Sequence, residues 1–304
     1  MKLKQLCCRR IYEERTEPII MDCSDDDLTP LWGKRSLHRL PFIVLTDLIR
    51  SRHLLKLLVK RDLSAKYRRA YLGYTWAVLE PLLLAGVYTI IFTILVGNSD
   101  KLYSAKVIIG VIGWSLFSRS LTTSMKSLSS SINLFQFARV PKTVFATSGA
   151  ITQYILAVIS LASILPFAIR GDIELNAGWF ILPFWLLLIA FTGWSIGLAL
   201  APIACKIQDV QNLVQFLMRA GFFLSPVMWT YDMFTIRFGD GWHAVVAHLN
   251  PTVIPITCMR DLILGSSTEF PLYASLMLSG LAICSFFLGT IIFERKAHKA
   301  VVNV

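Results

Sequence analysis

Six long apolar runs govern what this chain can become: residues 75–96, 107–125, 144–169, 177–205, 212–229 and 271–293. Each is long enough for the ~30 Å hydrocarbon core of a bilayer. Backbone N–H and C=O groups find no water in lipid, so such a segment closes its hydrogen bonds internally, as a helix. Charge agrees with this reading. Asp, Glu, Lys and Arg make up only 16% of the residues and mean hydropathy is +0.60, against ~25% charged residues in soluble domains. That is too little charge to cover a soluble surface and too much apolar surface for disorder. The expected fold is an all-α integral membrane domain with six transmembrane helices.

The basic residues set the expected orientation. Lys and Arg number 30 against 19 Asp and Glu, and 16 of the 30 precede residue 71. With the N-terminus inside, 23 of the 30 fall in cytoplasmic segments and five in outer ones. Arg119 and Arg219 lie within spans. Such a bias marks membrane topology rather than a nucleic-acid face, and both termini are expected in the cytoplasm. Residues 1–40, with acidic Asp22 and Asp25 to Asp27, read as a partly disordered cytoplasmic tail without a signal peptide. None of the six cysteines forms a CxxC pair, so neither a disulfide framework nor a metal site is expected.

Residues 41–70 form a lead-in region. Val44, Leu45, Leu48, Leu55, Leu58 and Val59 recur at helical spacing, with Arg50, His53, Lys56, Lys60 and Arg61 opposite. An amphipathic helix at the membrane interface fits this pattern. Residues 71–304 are expected to be the six-span domain. Its stretch 230–267 holds Pro251, Pro255 and apolar pieces too short to span, which points to re-entrant or interfacial segments between spans five and six.

Catalytic patterns are missing from the sequence. It has no GxxxxGK[ST] phosphate loop, no HExxH and no GxSxG. Ion-coupled carriers place carboxylates or His inside spans, and here only Glu80 and Asp209, near span ends, are candidates. His243 and His248, five apart, fall on different helix faces and read as structural. Two polar stripes remain. One runs Ser115, Ser118, Arg119, Thr122, Lys126, Ser129; the other runs Gln208, Gln211, Asn212, Gln215, Arg219, Phe222, Ser225. At 100° per residue each occupies roughly one helix face, which must meet protein or water. A translocation path and a helix-packing or subunit interface fit equally.

Residues 61–81 combine a basic turn at Arg61, Asp62, Lys66, Tyr67, Arg68 and Arg69 with Leu72-Gly73, Trp76, Glu80 and Pro81. This string resembles the lead-in of type-two ABC transporter permeases of the polysaccharide and polyol phosphate export family, the O-antigen, capsule or teichoic acid exporter type. Ala70 stands where that pattern has a small hydroxyl residue. The stretch from Asn133 to Pro141-Lys142, with Val140 in place of Phe, is similar to the family's segment between spans two and three. Ser225-Pro226-Val227 resembles the break in its fifth span, and Asn250-Pro251 with Arg260-Asp261 resembles the stretch after that break.

The resemblance implies a transmembrane permease subunit, itself no enzyme, working as a homodimer beside two copies of a separate ABC ATPase. ATP and Mg would be bound by that ATPase, and no cofactor by this chain. The cargo would be a glycan, often lipid-linked, crossing the bacterial inner membrane, with membrane lipid but no nucleic acid as a further partner. Alternatives are an ABC exporter of a small lipophilic substrate and a membrane-bound transferase acting on lipid-linked sugars. The implied ATPase-coupling residues are Arg139, Val140, Pro141 and Lys142, with Arg61, Asp62, Tyr67 and Arg68 in the lead-in region. A sliding sugar chain needs wet walls with aromatic faces. The substrate-path candidates are Ser115, Arg119, Thr122, Gln215, Arg219, Phe222, Phe223, Trp229 and Tyr231. Trp229 and Tyr231 equally suit an interfacial aromatic belt. Arg119 and Arg219 could guide a lipid phosphate, or else serve a dimer interface or an ion pair with Glu80 or Asp209.

Overall fold

The computed structural model describes residues 40–68, 70–96, 102–131, 140–170, 173, 176–239 and 242–302. Residues 1–39 of the expected tail and Arg139 of the coupling segment lie outside the described residues. The elements are α1 (Leu40–Arg50), α2 (Arg52–Tyr67), α3 (Trp76–Val96), α4 (Tyr103–Ser130), α5 (Thr143–Ser160), α6 (Leu165–Arg170), α7 (Leu182–Lys206), α8 (Gln208–Leu224), α9 (Tyr231–Phe238), α10 (Trp242–His248), α11 (Val253–Leu264) and α12 (Leu272–Val302), with no strand among the described residues.

Among the described residues, four segments are long and apolar enough to cross a membrane: Gly73–Ile91, Thr143–Ile169, Ala177–Lys206 and Leu272–Ala297. The other two expected spans correspond to α4 and α8. At 28 residues α4 has the length, but its hydroxyl and cationic stripe dilutes its apolar character. α8 is only 17 residues long and equally striped.

The hub is α7, which packs on α4, α5 and α12. Its apolar window is 61% buried, against 17% for the window beginning α3, so α7 is core and α3 periphery. Small residues explain the difference. Gly193 and Gly197, one turn apart, lie on Ser120 and Ser124 of α4. A Cβ at Gly197 would stand 2.6 Å from both the Leu121 carbonyl oxygen and the Ser124 Cβ. On another side of α7, Gly289 of α12 rides on the Ser195 carbonyl. Between membrane helices, close backbone approach of this kind supplies the packing energy that hydrophobic burial cannot. The periphery of α3 exposes Leu83, Val87, Ile90 and Ile94, as a lipid-facing helix should. Pro81 within α3 has no N–H to offer the Ala77 carbonyl. The Ser160 hydroxyl of α5 takes its place, donating to Ala77 O at 2.7 Å.

The lead-in region differs from the single amphipathic helix expected there. It is two helices bent at Ser51, and the hydrogen-bond ladder continues through the bend: Ser51 N donates to Asp47 O and Leu55 N to Ser51 O, both at 2.9 Å. Its apolar residues also divide between two sides. Val44 and Leu58 are buried, and Leu48, Leu54 and Leu55 pack toward Val144 and Phe145 of α5. Phe42, Ile49 and Leu57 stay exposed, which leaves a second apolar side for a bilayer surface.

Candidate functional site

An open cleft of about 490 Å³ runs between α4 and α8, with α3 at its edge. Thr122, Gln215, Arg219, Phe222 and Phe223 line it, together with Tyr88, Trp114, Ser118, Lys126 and Met218. Trp114 sets the spacing of its two main walls. The indole N–H donates to Met218 O at 3.2 Å, and the ring lies where a Cβ on Gly221 would be only 2.7 Å from it. Any larger residue at 221 would push α8 away. Tyr88 and Phe222 stack tilted at 5.0 Å, with Phe223 edge-on to Phe222 at 5.4 Å. At its other end α8 is tied back to α7, where the Gln211 amide donates at 2.9 Å to Ala204 O, a last-turn carbonyl with no partner in its own helix. The cleft is therefore aromatic at one end and polar or cationic along its length, with no carboxylate among its lining residues.

The stripe expected on α4 splits into two. Ser118, Thr122 and Lys126 face the cleft, whereas Ser115 and Arg119 line a cavity of about 30 Å³ bounded by Tyr67, Ala77, Glu80, Gln153 and Ser160. Azimuth separates Ser118 from Arg119 by about 100°, whereas Lys126, only about 20° from Arg119 in azimuth, reaches the cleft because it stands about 10 Å further along α4. In this cavity Arg119 donates to Glu80 and is ion-paired with it. Its charge is compensated within the chain, as one of the alternatives held. Arg219 has no ion-pair partner among the described residues. Nearby, Lys66 sits over the Tyr67 ring at 5.6 Å. Packing around its ammonium, then the Arg119 guanidinium, lowers the Lys66 pKa to about 8, against a smaller opposing pull from Glu80.

Trp229 and Tyr231 are not among the cleft's lining residues. They belong to the framework that holds the end of α8. The helix stops at Leu224, and the extended Ser225 passes into Pro226. Arg260 of α11, fully buried, fixes the segment after that break. Its Nη2 donates to Val227 O, its Nη1 to Trp229 O and its Nε to Lys106 O at the start of α4, all at 3.0 Å. The Asn250 amide donates to Ser225 Oγ at 2.7 Å, while its Oδ1 accepts from the Thr252 hydroxyl and backbone N–H. The Tyr103 hydroxyl donates to Met228 O at 2.9 Å. Tyr231 is buried against His248 and Phe270, with ring centroids 5.5 and 5.0 Å away. In the sequence Arg260 stands as an outer-segment charge and as part of the Arg260-Asp261 motif, with no sign of its partners. A buried cation bonded to three carbonyls is a contact that hydropathy does not reveal.

The described coupling candidates fall into two groups. Asp62 joins α2 to α5 by accepting from the Ser148 hydroxyl at 3.3 Å, and it also accepts from Arg61 at 2.8 and 2.9 Å. Tyr67 packs edge-on to Tyr74 at 5.4 Å. Val140 packs beside Leu58 and Val144, and the Pro141 carbonyl accepts from Val144 N at 3.2 Å as α5 begins. Lys142 donates to Ala297 O of α12 at 3.5 Å, and burial lowers its pKa against the raising effect of Glu294. Arg61 and Arg68 are exposed. Trp114, Lys126, Ser118, Met218 and Tyr88 line the cleft but are missing from the substrate-path candidates, although Lys126 and Ser118 stand on the polar stripe read from the sequence. The first two carry a signal, because Trp114, Ser118, Thr122 and Lys126 recur every four residues.

Similarity to known proteins agrees with these features. A Myxococcus xanthus protein named O-antigen export system permease protein RfbA is 28% identical over 213 residues, covering 69% of this chain and 80% of that protein. Two Klebsiella pneumoniae proteins of the same name are 23% and 21% identical, each covering 81% of this chain and 93% of the relative. The sequence model of the ABC-2 type transporter family matches residues 53–264, a stretch that runs from α2 through the α4–α8 cleft to the Arg260 framework. The chain belongs to the ABC-2 type transporter family, as a membrane-embedded permease of the type found in O-antigen export.

Proposed function

We propose that this chain is the permease subunit of an ATP-driven exporter that moves a lipid-linked glycan across the bacterial inner membrane. The observation that carries this reading is the α4–α8 cleft. It joins aromatic faces (Tyr88, Trp114, Phe222, Phe223) to hydroxyl, amide and cationic groups along one continuous wall. Sugar rings present apolar C–H faces to aromatics and hydroxyls to polar groups, so a wall of both kinds holds a glycan by weak, repeated contacts. The names of the relatives point the same way. In this reading α4 and α8 are the second and fifth of six spans, two copies of the chain face each other, and α9 to α11 form the outer cap. A separate ATPase binds ATP and Mg. It docks on the cytoplasmic side near Arg61, Arg68 and the Val140–Lys142 turn.

Deleting the gene is expected to remove a glycan from the cell surface and leave it inside, read by gel and by antibody on intact cells. Wild-type copies restore it, whereas Phe222→Ala with Phe223→Ala restores less than about one-tenth at normal protein level. An unchanged surface glycan in the deletion strain would sink the exporter reading.

Orientation has its own test. In a variant lacking native cysteines, Glu269→Cys is expected to react with an impermeant maleimide from outside, and Lys206→Cys only after the membrane is opened. The reverse pattern would invert the topology.

A further inference from the structure

α10 is a seven-residue helix, too short to hold itself, and its buried residues are Ala244 and His248, one turn apart on one face. A methyl group anchors little, so the seat of α10 rests on the imidazole. His248 is 2% exposed and lies in a box of rings: Tyr231 of α9 at 5.5 Å, Tyr273 of α12 at 5.6 Å and Phe270 at 6.4 Å, the last two edge-on. Neither of its ring nitrogens has a hydrogen-bond partner among the described residues. Buried polar atoms in native proteins are nearly always paired, and each exception asks for an explanation. A phenyl ring would fill the same box without stranding two polar atoms. What phenyl lacks is a proton to gain. Burial lowers the imidazole pKa below its ordinary 6.5, and no charged neighbour contributes. The titratable groups around it agree. On α10 itself, His243 stacks on Trp242 at 3.9 Å. Asp232 and Arg237 of α9 and Glu269 before α12 are exposed. Arg260 of α11 is bonded to its three carbonyls, and Asp261 accepts from Ser266 and Thr268. Only the two tyrosines face the imidazole, and neither is an anion at neutral pH.

We propose that His248 is a proton-operated latch: neutral, it seats α10 on α9 and α12, and protonated, it leaves the ring box and frees α10. That the latch reads the outer solution rests on the topology given under Proposed function; the latch itself does not. An imidazolium in an apolar box with no acceptor is costly, whereas in water it is solvated, so the proton is taken up as α10 opens. The direction follows from linkage. A histidine whose folded pKa lies below its free value binds protons more readily in the open state, so the seat is fully stable above about pH 6.5 and loosens as pH falls below it. One proton changes the closed-to-open ratio by at most tenfold per pH unit. The motion has a route to the cleft. Two residues past His248, the Asn250 amide donates at 2.7 Å to Ser225 Oγ, at the break that ends α8. Release of α10 therefore loosens one anchor of that break.

The test is amide hydrogen exchange of residues 242–250 in the full chain in nanodiscs, from pH 8 to pH 5, for wild type and His248→Phe. The ratio of the two rates at each pH cancels the pH dependence of the exchange chemistry itself. Normalised to pH 8, it is expected to stay near one down to about pH 6.5 and then to rise, by at most tenfold per pH unit. His243→Gln, at the other histidine of α10, should keep the rise. His248→Gln, which carries polar atoms but does not titrate, should be as flat as His248→Phe, and it serves as the reference if the phenylalanine variant fails to accumulate. A ratio that stays within twofold across the range would overturn the latch. A rise that survives in His248→Gln, or that vanishes in His243→Gln, would overturn its assignment to His248. The exporter reading fails separately, by a gene deletion without a glycan phenotype, and that result leaves the exchange measurement standing.

Discussion

Replacing Arg260 with methionine is expected to lower the melting temperature of the purified chain by about 10 °C. The guanidinium is buried and bonded to the carbonyls of Lys106, Val227 and Trp229. Methionine keeps the stem and removes every donor. Each carbonyl left buried without a partner costs ~1–3 kcal/mol, and bonds to a charged donor are the stronger kind. The sum, on the order of 3–5 kcal/mol, corresponds to roughly 10 °C for a chain of this size. Arg260→Lys should fall between, because an ammonium cannot reach three carbonyls in a fan. Arg237→Met is the control: Arg237 is exposed on α9, and its loss should leave the melt unchanged. The same experiment reports on the cleft, since Val227 and Trp229 hold the break that ends α8. Thiol labelling of a cysteine at Phe223 should become faster in Arg260→Met. A melt within 2 °C of wild type would show that the three bonds do not anchor the break.

Gly197→Leu is expected to abolish accumulation of folded protein. Even a Cβ there meets the Leu121 carbonyl and the Ser124 Cβ at 2.6 Å, under the separation real atoms tolerate. The contact is with backbone, which cannot rotate away. Overpacking of ordinary cores costs ~1–3 kcal/mol. Here the strain falls on the α4–α7 contact from which the rest of the bundle is built, so the loss should exceed that range. Ser124→Gly should fail to rescue even Gly197→Ala, because the Leu121 carbonyl remains. Gly280→Leu is the comparison, since nothing lies within 4 Å of a Cβ on Gly280. It should accumulate and melt like wild type. Normal yield of Gly197→Leu in detergent would mean that α4 and α7 can separate without loss of the fold.

Arg119 and Arg219 illustrate how far the sequence carries. Both are legible as cations on polar helix faces, and the cost of a charge in lipid makes both conspicuous. Their roles diverge because α3 brings Glu80 to one and no carboxylate lines the cleft of the other. On α4 Arg119 meets Glu80 of α3, while Thr122, about 60° away in azimuth, and Lys126, at nearly the same azimuth but about 10 Å further along the helix, line the cleft beside α8. Periodicity gives the width of a polar face but not the neighbour it meets, so one expected stripe became two. Ser51 is similar: the amphipathic pattern gives a helix over the right residues, and the structure bends it where α1 and α2 meet against α5.

Each segment owes its own solvent a debt that can be read from sequence alone. Apolar runs long enough for a bilayer must be helices, a polar stripe must avoid lipid, and the ordered motifs around Arg61, Ser225, Asn250 and Arg260 mark the family. How the helices meet is another matter, settled only by packing. The place of α7 at the centre comes from Gly193, Gly197 and Gly289, where missing side chains let backbones touch. The anchoring of the α8 break comes from Arg260, whose partners are backbone carbonyls 31 to 154 residues away in the chain. Hydropathy reads the environment of one helix at a time. Close approach and carbonyl pairing are properties of two, and they exist only once the helices have packed.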